Sequence, residues 1–209
     1  GTLEVIVFDG DYPPLKEHII KQRQQERLKT SEMFNFPPSM YDDIRTLCQL
    51  MAIPVYRAHY EADSLCTKLI NSGQVQVVLS NDTDMLMYSP RVILAQKYSY
   101  TNDIDIVDSQ TLLSTLCLTH FQFIDLCILL GCDYTYTVPG IGKVRAYEHL
   151  CQGKTLEELT PINSQCDYMA VRQFLTVCHS WEDDITLPPF TLDSIDFPRL
   201  GQYLHTYCR

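Results

Sequence analysis

The sequence contains little glycine and proline, eight and eleven residues in a chain of 209. Collagen-like and low-complexity chains need much more of both, so those classes are excluded. No run approaches the roughly 18 uninterrupted apolar residues of a membrane span. The start of the chain lacks basic residues and Glu4 interrupts its apolar stretch, so it does not resemble a signal peptide. These absences predict a soluble globular chain without a membrane partner.

Paired cysteine spacing is also absent. The nine cysteines are an odd number and include no C-x-x-C pair. An oxidising compartment would leave one thiol unpaired, and a cysteine zinc site needs two pairs at ligand spacing. We therefore expect reduced thiols in an intracellular protein and no cysteine zinc site.

The chain does contain enough apolar material for one good-sized core, since 45% of its residues are hydrophobic and its length fits one domain. It carries 26 acidic against 16 basic residues, a net charge of −10. That charge at first disfavours a polyanionic partner.

Short apolar runs alternate with helical patterns along the first 150 residues. Strands are predicted at 3–8, 54–56, 75–79 and 92–95, an edge strand at Ile104 and Ile106, and helices at 15–30, 40–51, 61–72 and 120–130. This alternation predicts an α/β fold with a mostly parallel sheet flanked by helices on both faces. Beyond Lys154, prolines break a weaker pattern into short helices and loops.

Acidic side chains follow the predicted strands, where ligand sites of such sheets lie. They come from four segments and are Asp9, Glu61, Asp63, Asp82, Asp84 and Asp133. Each alone is also explained as a turn former or helix cap, and Asp103 and Asp105 share the spacing without a predicted role. Together, oxygen ligands without histidine or cysteine favour Mg²⁺ or Mn²⁺.

Two further patterns concern phosphate. Gly140 and Gly142 precede a helix that carries Lys143 and Arg145, which suits a phosphate at the helix N-terminus, although a plain helix-to-helix turn fits as well. Lys16 and Arg23 lie two helical turns apart on a predicted helix beside the acidic segments, so they project from one face. A charged face of that kind is also typical of a helix that is simply exposed to solvent. Two divalent ions would cancel four of the six acid charges, so nucleic-acid contact would depend on local basic patches.

The motifs Val7–Gly10, Tyr60–Asp63, Asn81–Asp84, Phe123–Tyr134 and Gly140–Gly142 resemble, in the same order, those of the flap endonuclease (XPG-like) superfamily of structure-specific 5′-nucleases. The resemblance implies a PIN-like α/β core over about residues 1–150. It places an arch insert at about 13–40 and a helix–two-turn–helix element at about 120–150. Residues 151–209 would extend the same domain.

The resemblance also implies the roles of the candidate residues. The six acids match the carboxylates that hold two Mg²⁺ ions, for which Mn²⁺ can substitute, and Asp9, Asp82 and Asp84 count as catalytic. Lys16 and Arg23 match the basic pair that faces the scissile phosphate. Thr137, Gly140, Gly142, Lys143 and Arg145 match the element that grips duplex phosphates, with K⁺ on its backbone carbonyls and on the Thr137 hydroxyl.

The chain departs from the family in two ways. An earlier strand with a further metal-binding Asp is missing, so the chain is expected to lack its first portion. The insert between Asp9 and Glu61 is short, which predicts a reduced arch near Thr30–Ser39.

The predicted function is Mg²⁺-dependent cleavage of flap or branched nucleic acid, DNA rather than RNA, by a monomer in the nucleus. A sliding-clamp motif would lie beyond Arg209. A viral RNA endonuclease of host-shutoff type, acting in the cytoplasm or a replication compartment, stays open, as does a catalytically silent nucleic-acid-binding module. A haloacid dehalogenase-type phosphatase is the remaining alternative, because Phe8–Asp11 resembles its nucleophile motif.

Overall fold

The computed structural model describes residues 5–21, 39–97, 103–160, 167–189 and 191–207. The expected α/β architecture is confirmed. Most of the arch predicted at about 13–40, part of the helix predicted at 15–30, and Arg23 fall on residues 22–38, which lie outside the described residues.

Five strands form two small sheets within the described ranges. They are β1 (Ile6–Phe8), β2 (Val55–Arg57), β3 (Val78–Leu79), β4 (Ile93–Lys97) and β5 (Ile104–Asp108). β1 pairs with β2 in parallel, β3 pairs with β4 in parallel, and β4 pairs with β5 antiparallel. Two of the three strand pairs are parallel, which confirms the mostly parallel arrangement. Within the described residues, however, the strands form a two-stranded and a three-stranded sheet instead of the single sheet that was predicted.

The strand predicted at 75–79 is shorter than expected. The backbone just before and at its predicted start is hydrogen-bonded to the end of the preceding helix instead of to a strand. The Gln74 and Val75 N–H groups both donate to the carbonyl of Leu69 (3.0 and 3.4 Å). Only Val78 and Leu79 then pair with β4.

The helices surround these strands. They are α1 (residues 17–21, after a 3₁₀ turn at Pro14–Lys16), α2 (Ser39–Leu50), α3 (Ala62–Asn71), α4 (Met85–Tyr88), α5 (Ser109–Leu116), α6 (His120–Leu130), α7 (Lys143–Cys151), α8 (Leu156–Leu159), α9 (Tyr168–Val177) and α10 (Phe197–Tyr207). The helices predicted at 40–51, 61–72 and 120–130 are confirmed. A capping box of Thr119 and Gln122 fixes the start of α6.

The main core lies around α6. Its Ile124, Ile128 and Leu129 are buried against α7 and α9, and Phe174 and Leu175 of α9 belong to the same cluster. A smaller cluster lies against β3 and β4. The residues after Lys154 therefore pack on the helix that leads to Asp133.

Strand β5 is the expected edge strand, with Asp103 and Asp105 exposed. The alternation of its isoleucines does not bury them, since Ile104 and Ile106 are 53% and 60% exposed. The edge position explains this, because within the described residues nothing packs over that part of the strand.

Among the described helices, none is by itself long and apolar enough to cross a membrane; α5 and α6, which meet at 81°, reach that length and composition only as a bent pair.

Candidate active site

The Lys16 ammonium lies between two of the predicted acids. It donates to the Glu61 carboxylate and to Oδ2 of Asp133 (3.0 Å), and it sits 4.7 Å from the centre of the Tyr134 ring. Burial lowers the pKa of Lys16, but the hydrogen bonds and charges of Glu61 and Asp133 outweigh it and raise the pKa overall. The predicted position of Lys16 over the acidic residues is thus observed.

The start of α3 brings three of the acids together. Oδ1 of Asp9, directly after β1, accepts a hydrogen bond from the Ala62 N–H (2.8 Å) in the first turn of α3. Gly10 makes this approach possible, because a Cβ there would collide with the carbonyls of Ala58 and His59. Glu61 is the N-cap residue of the same helix.

Asp63, in the first turn of α3, has the most perturbed carboxyl of the cluster. Burial, followed by the charges of Asp82, Glu61 and Asp9, raises its pKa to about 7. Four carboxylates from three chain segments therefore lie within electrostatic reach of one another.

The loop after β3 supplies the next two acids. Oδ1 of Asp82 accepts the Asp84 N–H (2.9 Å), which fixes the turn that begins α4. Burial, then the charges of Asp82 and Asp133, raises the pKa of Asp84 to about 6, while the Asp133 N–H donates to its carboxylate. Asp84 and Asp133 are thus neighbours.

The six acids form one continuous negatively charged cluster with Lys16 inside it. In this arrangement, no three His, Cys, Asp or Glu side chains of the described residues are grouped closely enough to hold a metal ion. The donor set nevertheless fits a hard divalent cation, because every group is a carboxylate, and burial followed by repulsion among the carboxylates raises the pKa of Asp63 and Asp84 in spite of Lys16.

The Gly140–Gly142 turn lies beyond α6. Gly140 has φ of +79°, Gly142 is the N-cap of α7, and Nη1 of Arg145 donates to the Gly140 carbonyl (3.3 Å). Lys143 and Arg145 are exposed, and the segment from Thr137 to Arg145 lines a surface pocket of about 690 Å³. The Thr137 hydroxyl donates to the Leu130 carbonyl (2.9 Å) at the end of α6.

Sequence reasoning missed three residues of this region. The hydroxyl of Tyr134 donates to Oε2 of Glu61, and the hydroxyl of Tyr88 lies 2.7 Å from that of Tyr134. Glu182 is a buried acid whose carboxylate accepts the His59 N–H (2.8 Å) and the Ser64 hydroxyl, beside the acids of α3. Of these, only Tyr134 had a signal, since it directly follows Asp133.

A family model described as the XPG I-region matches residues 52–133. The flap endonuclease 1 of Cryptosporidium muris is 31% identical over 84% of this chain and 46% of its own length, and that of Chlamydomonas reinhardtii is 33% identical over 75% and 46%. The chain spans about half the length of the curated relatives it matches.

Solved structures share the fold. The catalytic core of Rad2 in complex with DNA substrate has a TM-score of 0.76 at 22% identity, covering 97% of this chain and 73% of that one. Flap endonuclease-1 from Methanococcus jannaschii has a TM-score of 0.67 at 23% identity, covering 97% and 74%.

The residues matched by the family model include five of the six acids of the cluster, Glu61, Asp63, Asp82, Asp84 and Asp133. The chain belongs to the flap endonuclease/XPG-like nuclease superfamily.

Proposed function

We propose that this protein is a Mg²⁺-dependent, structure-specific 5′-nuclease that hydrolyses phosphodiester bonds in flap or branched nucleic acid, DNA in preference to RNA. The observation that carries the proposal is the meeting of carboxylates from four chain segments around a buried lysine. Family membership supports the same reaction class, since the relatives are flap endonucleases.

Asp9, Glu61, Asp63, Asp82, Asp84 and Asp133 would hold two divalent ions, directly or through water. Bound Mg²⁺, or Mn²⁺ in its place, supplies Lewis-acid activation of water and charge stabilisation at the leaving 3′ oxygen. Lys16, released from Glu61 and Asp133, would donate to the phosphoryl oxygens as negative charge develops on them. We extend the same role to Arg23.

The Gly140–Gly142 turn would bind the phosphates of the duplex. The exposed N–H groups at the start of α7 and the side chains of Lys143 and Arg145 offer donors and positive charge on one surface. We propose that K⁺ binds the carbonyls of this turn together with the Thr137 hydroxyl.

Asp82→Asn tests the metal centre. We expect it to lower Mg²⁺-dependent cleavage of a 5′-flap DNA by about 100-fold or more, because a ligand charge is lost, while substrate binding changes little. Asp105→Asn, an exposed carboxylate on β5, is the matched control and should cleave normally.

The same assay on matched DNA and RNA flaps decides between the nucleic acids. Preferential cleavage of RNA would favour the host-shutoff-type endonuclease. Undiminished cleavage by Asp82→Asn would overturn the metal assignment, and an unmodified protein that binds the flap without cutting it would indicate a silent binding module.

A further inference from the structure

The two carboxylate oxygens of Glu61 face different groups. Oε1 receives the ammonium of Lys16, whereas Oε2 receives the hydroxyl of Tyr134 and has the hydroxyl of Tyr88 at 3.4 Å. One carboxylate oxygen of Glu61 therefore contacts the long side chain of Lys16, and the other contacts two phenol hydroxyls.

The two phenols form a hydrogen-bond chain with one direction. A phenol at neutral pH carries one proton, so each of these hydroxyls can donate one hydrogen bond. Tyr134 gives its proton to Glu61, so the 2.7 Å contact between the hydroxyls must use the proton of Tyr88. The chain runs from Tyr88 through Tyr134 to Oε2 of Glu61.

The rings themselves have little freedom to move. Tyr88 and Tyr134 are only 4% and 1% exposed, and the ring of Tyr134 packs against Phe174 of α9 with centroids 5.1 Å apart. Tyr88 ends the helix that Asp84 begins, and Tyr134 follows Asp133. The hydroxyls therefore tie Glu61 to the two segments that carry other acids of the cluster.

We propose that Tyr134 and Tyr88 are positioning residues that hold Oε2 of Glu61 and leave Oε1 as the oxygen that turns to a divalent cation once Lys16 withdraws. This inference rests on the proposed function. Hydrogen bonds of this kind orient a ligating carboxylate and increase its affinity for the metal, as partners behind metal ligands commonly do.

Calorimetric titration of the full chain with Mn²⁺ alone tests the proposal without relying on cleavage. We expect Tyr134→Phe to weaken Mn²⁺ binding about tenfold and Tyr88→Phe about threefold. The loss in the double variant should be smaller than the sum of the two single losses, because the hydroxyl of Tyr88 is closer to that of Tyr134 (2.7 Å) than to Oε2 of Glu61 (3.4 Å) and acts mainly through Tyr134.

Tyr147→Phe is the matched control. It removes one hydroxyl hydrogen bond, to the Leu116 carbonyl (2.9 Å), away from the acids, and Mn²⁺ binding should not change. A general loss of packing would lower the melting temperature of all these variants without the specific loss of Mn²⁺ affinity.

Two results would overturn the positioning role: unchanged Mn²⁺ affinity in Tyr134→Phe, or losses that add in the double variant. If Tyr134→Phe does not fold, unchanged affinity in Tyr88→Phe has the same meaning. Failure of the proposed function is distinguishable, since the unmodified protein would then bind no Mn²⁺ at all.

Discussion

In the absence of metal, the buried charges of the acid cluster lower the free energy of unfolding, and Asp63 shows the physical cause. Its pKa of about 7 lies far above its ordinary 3.8, because its charge is buried beside those of Asp82, Glu61 and Asp9. The folded chain then binds a proton that the unfolded chain has lost, so stability falls as pH rises from about 4 to about 7.

Asp63→Asn should therefore stabilise the metal-free protein at pH 8. One pKa unit corresponds to about 1.4 kcal/mol, and we expect the advantage of the variant to shrink by about 2 kcal/mol between pH 8 and pH 5 as Asp63 becomes protonated. Urea unfolding in EDTA at both pH values measures this difference, and added Mg²⁺ should favour the unmodified protein.

A pH-independent effect of Asp63→Asn would contradict the electrostatic account. Asp105→Asn is again the control, because its carboxylate is exposed on β5 and its replacement should give no such pH dependence.

At the scale of single residues, the positions of the acids can be predicted from the sequence, but the residues that hydrogen-bond to them cannot. An acid directly after a strand is visible in the sequence, and Asp9, Asp82 and Asp84 lie where that rule places them. Tyr88 and Tyr134 look like ordinary core aromatics, since nothing local indicates that their hydroxyls meet Glu61 from 27 and 73 residues away.

The turn after α6 determines where Asp133 and Tyr134 lie. Gly131 ends that helix with φ of 87° and ψ of 131°, a conformation that favours glycine. A Cβ there would also lie 2.9 Å from the Thr137 nitrogen and 3.0 Å from its hydroxyl oxygen. The end of α6 and the segment from Thr137 to Arg145 thus share one close backbone contact.

Gly131→Ala should lower the free energy of unfolding by about 3 kcal/mol, since the backbone conformation costs about 1–2 kcal/mol for a residue with Cβ and the contact with Thr137 adds to it. Gly153→Ala is the matched comparison: its φ is +81°, but a Cβ there meets nothing within 4 Å, so we expect only about 1 kcal/mol. Equal losses in urea unfolding would show that the Thr137 contact has no effect.

The longer helices of the first 150 residues follow from the sequence pattern. The observed bounds of α2, α3 and α6 lie within about one residue of those predicted, and α6 also begins at the capping box of Thr119 and Gln122. The strand at 75–79 could not be bounded, because the N–H of Val75 goes to the end of α3 rather than to β4, and that choice depends on tertiary position.

At the scale of the whole molecule, the residues after Lys154 make long-range contacts with α6 and α2. Arg172 of α9 holds Asp125 of α6 through Nε and Nη2 (2.6 and 3.0 Å), and the Tyr203 hydroxyl of α10 donates to the Asp43 carbonyl of α2 (3.1 Å). The sequence predicts only short helices and loops there, since both contacts join residues far apart along the chain. Of these two contacts, the one between Arg172 and Asp125 holds α6, the helix that leads to Asp133.

Glu182 makes the most direct of these connections, because it contacts α3 at Ser64 and Lys68. Its buried carboxylate accepts the His59 N–H and the Ser64 hydroxyl, and its carbonyl accepts the ammonium of Lys68. Removing the buried carboxylate leaves the His59 N–H and the Ser64 hydroxyl without their acceptor, so Glu182→Ala should lower the free energy of unfolding by about 3 kcal/mol. Because the same contacts hold the start of α3, Mn²⁺ affinity should fall as well.

The neighbouring Asp184 provides the control that distinguishes the buried hydrogen bonds of Glu182 from a simple charge pair. Asp184 also pairs with Lys68 (2.7 Å) but is 98% exposed, so solvent screens the pair and Asp184→Ala should change neither unfolding nor Mn²⁺ binding measurably. Glu182→Gln keeps one acceptor oxygen, so its free energy of unfolding should lie between those of Glu182→Ala and Asp184→Ala. If Glu182→Ala unfolds like Asp184→Ala in urea, the contacts of Glu182 do not stabilise α3.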